Sequence, residues 1–68
     1  MDDEALNMSI RKFLKLVGVS SQREIEQAVA RAVEQGTIGG QDILPATMTL
    51  EIPALGLRVS FDGEVKLQ

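Results

Sequence analysis

The side chains that most often perform catalysis or bind metals are missing from this chain of 68 residues. It contains neither histidine, the commonest general base and metal ligand, nor cysteine. Disulfides and thiolate metal sites are therefore excluded, and any catalytic group would have to be an Asp, Glu, Lys, Arg or Ser side chain. No Ser–Lys or carboxylate pair stands at a catalytic spacing. We therefore expect a protein that is not an enzyme and that uses no metal and no cofactor.

A glycine-rich segment, residues 36–40, is the next candidate for chemistry, as a phosphate-binding loop. Such a loop follows a strand, ends in Lys followed by Ser or Thr, and leads into a helix. Here a predicted helix precedes the segment, Gln41 and Asp42 follow it, and strands come next. We interpret the glycines as the turn from helix to sheet.

Nucleic-acid binding is the alternative function that we retain. Two helices joined by a glycine turn and followed by a hairpin have the outline of a helix-turn-helix with a wing. The net charge of −3 opposes this interpretation, because affinity for DNA depends mainly on neutralising phosphates. The groove-facing residues in that arrangement would be Ser21, Gln22, Arg23 and Gln27.

Binding to another protein is the function that we favour. Met8 and Leu16 project from the first predicted helix on the side opposite Ile10, with Lys12 between them at steps of four residues. Scattered exposed apolar residues are normal on soluble proteins, but a rimmed patch is typical of an interface. We therefore predict a protein-interaction module that binds a protein partner or forms a homodimer. The Met8–Leu16 patch consists of Met8, Lys12, Lys15 and Leu16.

Two helices are predicted in the first half of the chain. The first covers residues 2–17, because its apolar residues recur at helical spacing and Gly18 provides a stop signal. The second covers residues 21–35, from a capping box of Ser21 and Glu24 to a stop at Gly36. The apolar stripe of the first helix is formed by Leu6, Ile10, Phe13, Leu14 and Val17.

Three strands are predicted after a loop at residues 36–46, because apolar residues then alternate with polar ones. They cover residues 47–52, 57–61 and 65–68. The first turn pairs Ile52 with Leu57, and this register sets Leu50 opposite Val59, Met48 opposite Phe61 and Glu51 opposite Arg58.

The second turn is predicted as a three-residue loop, residues 62–64, with Gly63 in a left-handed conformation. That length pairs Phe61 with Val65 and keeps both side chains on the inner face.

The predicted fold is a single α+β domain over residues 1–68, with two N-terminal helices packed on one face of a three-stranded antiparallel β-meander (ααβββ). The acidic start of the chain is unlike a signal peptide, and no apolar run approaches the roughly 20 residues that span a membrane. We expect a cytoplasmic protein without a membrane partner.

Both halves of the chain resemble a family of short bacterial proteins, each about this length, described as a domain of unknown function. The resemblance implies a small protein of this size but no activity and no functional residue. In the first half it rests on residues 7–15, 17–19 and 21–26; in the second half it rests on residues 44–46, 48–50, 55–57 and 62–64.

Overall fold

A computed structural model describes residues 1–68 and contains one helix and one two-stranded antiparallel sheet. In chain order these are α1 (Asp3–Gln35), β1 (Ile43–Ile52), a 3₁₀ turn (Pro53–Leu55) and β2 (Leu57–Lys66). The α+β class is as predicted, but two helices on a three-stranded meander is wrong, since the arrangement is αββ. The chain divides into two compact units, Met1–Thr37 and Ile38–Gln68, which are described separately. That residues 1–68 form a single domain stays a prediction.

The first unit is one helix of 33 residues, about 50 Å long at 1.5 Å per residue. The predicted break between residues 17 and 21 is wrong, because Gly18 does not adopt a positive φ and the residues around it are helical. A glycine inside a helix costs only about 1 kcal/mol relative to alanine. A break would give up the backbone hydrogen bonds that cross it and would require two new caps. Ser21 and Glu24 therefore lie inside α1 and cap nothing.

The two ends of α1 are well capped. The Asp2 carboxylate accepts hydrogen bonds from the backbone amides of Glu4, at 3.0 Å, and Ala5, at 3.1 Å. Gly36 has a φ of 73°, as its predicted role as a stop requires. The amide of Thr37 then donates to the carbonyl of Ala32 at 2.9 Å, and the Thr37 hydroxyl donates to the same oxygen at 3.1 Å. These contacts satisfy backbone groups that a helix end leaves without partners.

The second unit is a long β-hairpin whose first turn is as predicted. Ile52 pairs with Leu57, so Glu51 stands opposite Arg58, and the two further predicted pairs, Leu50–Val59 and Met48–Phe61, are also confirmed. The turn ends at Gly56, which has a φ of 61°.

The predicted second turn and third strand are wrong. Gly63 lies inside β2 opposite Ala46, without a positive φ, and Val65 pairs with Leu44 and not with Phe61. The first turn sets the register of the two strands. When the strands continue in this register, residues 43–46 of β1 form backbone pairs with residues 63–66 of β2. A turn at residues 62–64 would leave the backbone groups of residues 43–46 without those partners. The connection from helix to sheet is correspondingly shorter than the predicted loop of residues 36–46.

No side chain of the chain is buried. In the hairpin the residues with reduced exposure include Leu44, Ala46, Leu50 and Val65, which all lie on one face. A lone helix and a two-stranded sheet each lack a second layer, so neither unit encloses a core of its own.

Candidate interaction surfaces

The hairpin has one polar face, which satisfies its own hydrogen bonds. Directly opposed residues point to the same side of an antiparallel pair. On this side the Thr47 hydroxyl donates to the Asp62 carboxylate at 2.8 Å, and the hydroxyls of Thr49 and Ser60 are 3.0 Å apart. Each of these polar side chains therefore has a partner within the hairpin. The polar face is formed by the pairs Ile43–Lys66, Pro45–Glu64, Thr47–Asp62, Thr49–Ser60 and Glu51–Arg58.

The predicted Glu51–Arg58 pair is present on the polar face but weak. Arg58 Nε lies 4.0 Å from Glu51 Oε1, and the side chains are 76% and 54% exposed. An exposed pair of this kind contributes at most about 1 kcal/mol. The polar face is therefore a surface suited to water.

The opposite side of the hairpin, the hairpin apolar face, carries no polar side chain. Phe61 is 58% exposed and Met48 is 45% exposed at its centre. A two-stranded hairpin in water is marginally stable unless something packs against its apolar side. This surface therefore requires a cover. The hairpin apolar face is formed by the pairs Leu44–Val65, Ala46–Gly63, Met48–Phe61, Leu50–Val59 and Ile52–Leu57.

A notch crosses the hairpin apolar face beside its bulkiest pair. Ala46 and Gly63 oppose each other there, next to Met48 and Phe61. A Cβ atom built on Gly63 meets no atom within 4 Å, so nothing in the chain itself excludes a side chain at this position. Sequence reasoning missed this feature because it placed Gly63 in a turn.

The Met8–Leu16 patch lies along one side of α1, as its spacing predicts. Met8 is 66% exposed and Leu16 is 63% exposed. Val19, 54% exposed, continues the same row three residues after Leu16. Sequence reasoning left Val19 out because it ended the helix at Gly18. Lys12 and Lys15 complete the patch, and neither takes part in an ion pair.

The residues proposed to face a nucleic-acid groove lie in the middle of α1. No turn separates Ser21, Gln22, Arg23 and Gln27 from the preceding helix, so the helix-turn-helix outline is absent. The Gln22 amide donates to the Glu26 carboxylate at 3.5 Å, within the helix. The geometry on which the nucleic-acid alternative depended is therefore missing.

The glycine-rich segment is occupied by a carboxylate. The backbone amide of Gly39 donates to Asp42 Oδ2 at 2.9 Å. A negative side chain thus takes the amide that a phosphate loop would offer to its ligand.

Two further findings concern metals and membranes. The structure contains no group of three or more acidic, histidine or cysteine side chains placed to hold a metal ion. The one helix is not apolar enough along its length to cross a bilayer.

Comparison with known proteins gives a match over the whole length. The family described as "Family of unknown function (DUF6494)" matches residues 1–68. No curated protein and no solved structure matches the chain.

Proposed function

We propose that this chain, which belongs to the DUF6494 family of unknown function, works by binding another protein and performs no chemistry of its own. The family description assigns no activity that could be transferred to the chain. The observation that supports this proposal is the hairpin apolar face. Ten residues from two strands present one continuous surface without a charge or a hydrogen-bonding side chain. Contiguous apolar surfaces of this kind mark sites of interaction.

The contrast between the two faces of the hairpin supports a protein as the class of partner. Nucleic acids are bound through side chains that neutralise phosphates, and the hairpin apolar face has none. A protein can offer an apolar surface of matching size, and burying such a surface contributes roughly 25 cal/mol per Å². The polar face needs no partner for these hydrogen bonds, because Thr47 already bonds to Asp62 and Thr49 already bonds to Ser60.

The Met8–Leu16 patch is the second surface of the proposal. Its apolar residues are exposed and its two lysines have no ion-pair partner. Lysine stems cover apolar surface while their ammonium groups stay in water, so an acidic rim on a partner would complement the patch.

The test immobilises this chain and measures which proteins it retains from an extract of the native cells. A parallel sample of the extract is treated with nuclease. Phe61→Lys places a charge on the hairpin apolar face, and its matched control, Ser60→Lys, places the same charge on the neighbouring residue of the polar face. Far-ultraviolet circular dichroism verifies that both variants keep the wild-type structure.

The proposal predicts that the wild type and Ser60→Lys retain the same protein and that Phe61→Lys loses it by at least about tenfold, with no effect of nuclease. Met8→Lys repeats the comparison for the Met8–Leu16 patch. Retention that nuclease abolishes, or equal retention by all variants, contradicts the proposal.

A further inference from the structure

We propose that the outer edge of β2 pairs with the same edge of a second copy of this chain. The two strands run antiparallel and meet at Phe61, so the two-stranded sheets of both copies join into one larger sheet. This inference goes beyond the proposed function and does not depend on it. The contact is made by the backbone of a sheet edge and by charged side chains, whereas the proposed function uses the hairpin apolar face.

Alternate residues of each strand direct their backbone groups away from the hairpin. The amide of Leu67 donates to the carbonyl of Asp42 at 3.2 Å, so the pair that follows Ile43–Lys66 in the ladder is a hydrogen-bonded pair. Hydrogen-bonded and non-hydrogen-bonded pairs alternate in an antiparallel ladder. Every pair of the polar face is therefore of the second kind, and its N–H and C=O groups point to the outer edges.

The two edges of the hairpin differ in how well they can receive another strand. Pro45 is one of the outward residues of β1, and it has no N–H to donate, so that edge is interrupted. β2 contains no proline, and its ladder to β1 has no bulge. No backbone hydrogen bond from elsewhere in the chain reaches its outward groups. This open edge is formed by the exposed residues Arg58, Ser60, Asp62, Glu64 and Lys66.

The charges along the open edge identify a second copy as the strand that fits it. A two-fold axis perpendicular to the sheet at Phe61 sets Arg58 opposite Glu64 of the second copy, and the same pair recurs on the other side of the axis. Directly opposed residues of opposite charge stabilise an antiparallel pair. Glu64 takes part in no ion pair within the chain, and Arg58 makes only the long contact with Glu51. Both side chains are therefore available to a second copy.

The middle of the open edge extends the hydrogen bonds of the polar face. The same axis sets Ser60 opposite Asp62 of the second copy. Asp62 accepts from Thr47 through Oδ1 and leaves Oδ2 without a partner. When Thr49 donates to Ser60 in their 3.0 Å contact, the Ser60 hydroxyl is free to donate to Asp62 of the second copy. On the other face the two Phe61 side chains form an aromatic cross-strand pair.

Other positions of the axis along the same edge are less favourable. An axis at Asp62 sets Asp62 against itself and Arg58 against Lys66, and like charges directly opposite each other are destabilising. An axis at Ser60 shortens the paired segment to residues 57–63, because the turn precedes Leu57. The axis at Phe61 combines a longer paired segment with opposed charges of opposite sign.

The experiment measures the dissociation constant of the dimer by sedimentation equilibrium for the wild type, for Arg58→Glu, for Glu64→Arg and for an equimolar mixture of the two variants. Either variant alone sets like charges opposite each other at both symmetry-related places, whereas a mixed dimer has opposite charges at both. We expect the dissociation constant to rise by at least about tenfold for each variant alone. For the mixed dimer we expect a value within about threefold of the wild type.

The matched control is Lys66→Glu. It makes the same change of charge as Arg58→Glu on the same face of β2, but an axis at Phe61 sets it opposite Gly56, which has no side chain. We expect it to change the dissociation constant by less than about threefold.

Amide exchange of the wild type shows which edge the dimer uses and requires no variant to fold. The amides of Ser60 and Asp62 should exchange several-fold more slowly as concentration rises through the dissociation constant, while those of Thr47 and Thr49 on the other edge should not change. The proposal is overturned by a wild type that stays monomeric, by exchange at Ser60 and Asp62 that is independent of concentration, or by a mixture no tighter than its components. Protein binding in the extract is measured separately and holds or fails by itself.

Discussion

Replacing Gly18 by alanine tests whether the first half of the chain is one helix or two. Gly18 lies inside α1, it has no positive φ, and a Cβ atom there meets nothing within 4 Å. Alanine therefore fits without strain and removes the entropic cost of a helical glycine. We expect Gly18→Ala to raise the free energy of unfolding by about 1 kcal/mol.

The same substitution at Gly36 gives the matched control with the opposite sign. Gly36 also has open space around it, but its φ is 73°. A side chain in that left-handed conformation costs roughly 1–2 kcal/mol. Gly36→Ala should therefore lower the free energy of unfolding, and the two variants should differ by about 2–3 kcal/mol.

The assay is urea unfolding followed by circular dichroism, with all three proteins at the same protomer concentration because association changes apparent stability. A Gly18→Ala variant less stable than the wild type by about 1 kcal/mol or more would refute the single helix. That result would mean that Gly18 adopts a positive φ and ends a first helix.

Three further predictions concern contacts within each unit. Asp2→Ala removes the N-terminal cap of α1 and should cost about 1 kcal/mol in thermal or urea unfolding, with faster amide exchange in the first turn. Glu51→Gln should change stability by less than about 0.5 kcal/mol in 1 M salt or without it, because its pair with Arg58 is long and exposed. Asp62→Ala removes the 2.8 Å bond from Thr47, and a double-mutant cycle with Thr47→Val should give a coupling of about 1 kcal/mol.

Local patterns were enough to predict the turn of the hairpin and the pairing of the residues next to it. Alternation of apolar and polar residues assigned the faces, and the turn before Leu57 set the register, so the pairing of Glu51 with Arg58 followed. The stop at Gly36 followed from an equally local rule, whereas the N-cap at Asp2 was not predicted, because the first helix was expected to begin at residue 2.

The glycines were where the same reasoning failed. Gly18, Gly36, Gly56 and Gly63 all resemble stop or turn signals, yet only Gly36 and Gly56 adopt a positive φ. Whether a glycine ends a helix or strand depends on how many backbone hydrogen bonds form when that helix or strand continues past it. At Gly18 that gain is an unbroken helix, and at Gly63 it is a set of ladder bonds to residues 43–46, far away in sequence.

The candidate site was missed for the same reason. The two predicted helices were placed on the inner face of the sheet, so Met48 and Phe61 were expected to lie in a core. In the structure these side chains are 45% and 58% exposed. The Met8–Leu16 patch was predicted from helical spacing alone, and its role as a partner surface stays a prediction.

The most direct test of the account is the rate at which peroxide oxidises the methionines, measured by mass spectrometry in buffer and in an extract of the native cells. Met1 is 98% exposed and serves as the internal reference, while Met48 reports on the hairpin apolar face and Met8 on the Met8–Leu16 patch. We predict that oxidation of Met48 relative to Met1 is several-fold slower in the extract, where a binding protein covers the hairpin apolar face. A ratio of Met48 to Met1 oxidation that is the same in buffer and in the extract would contradict the claim that a protein binds this face.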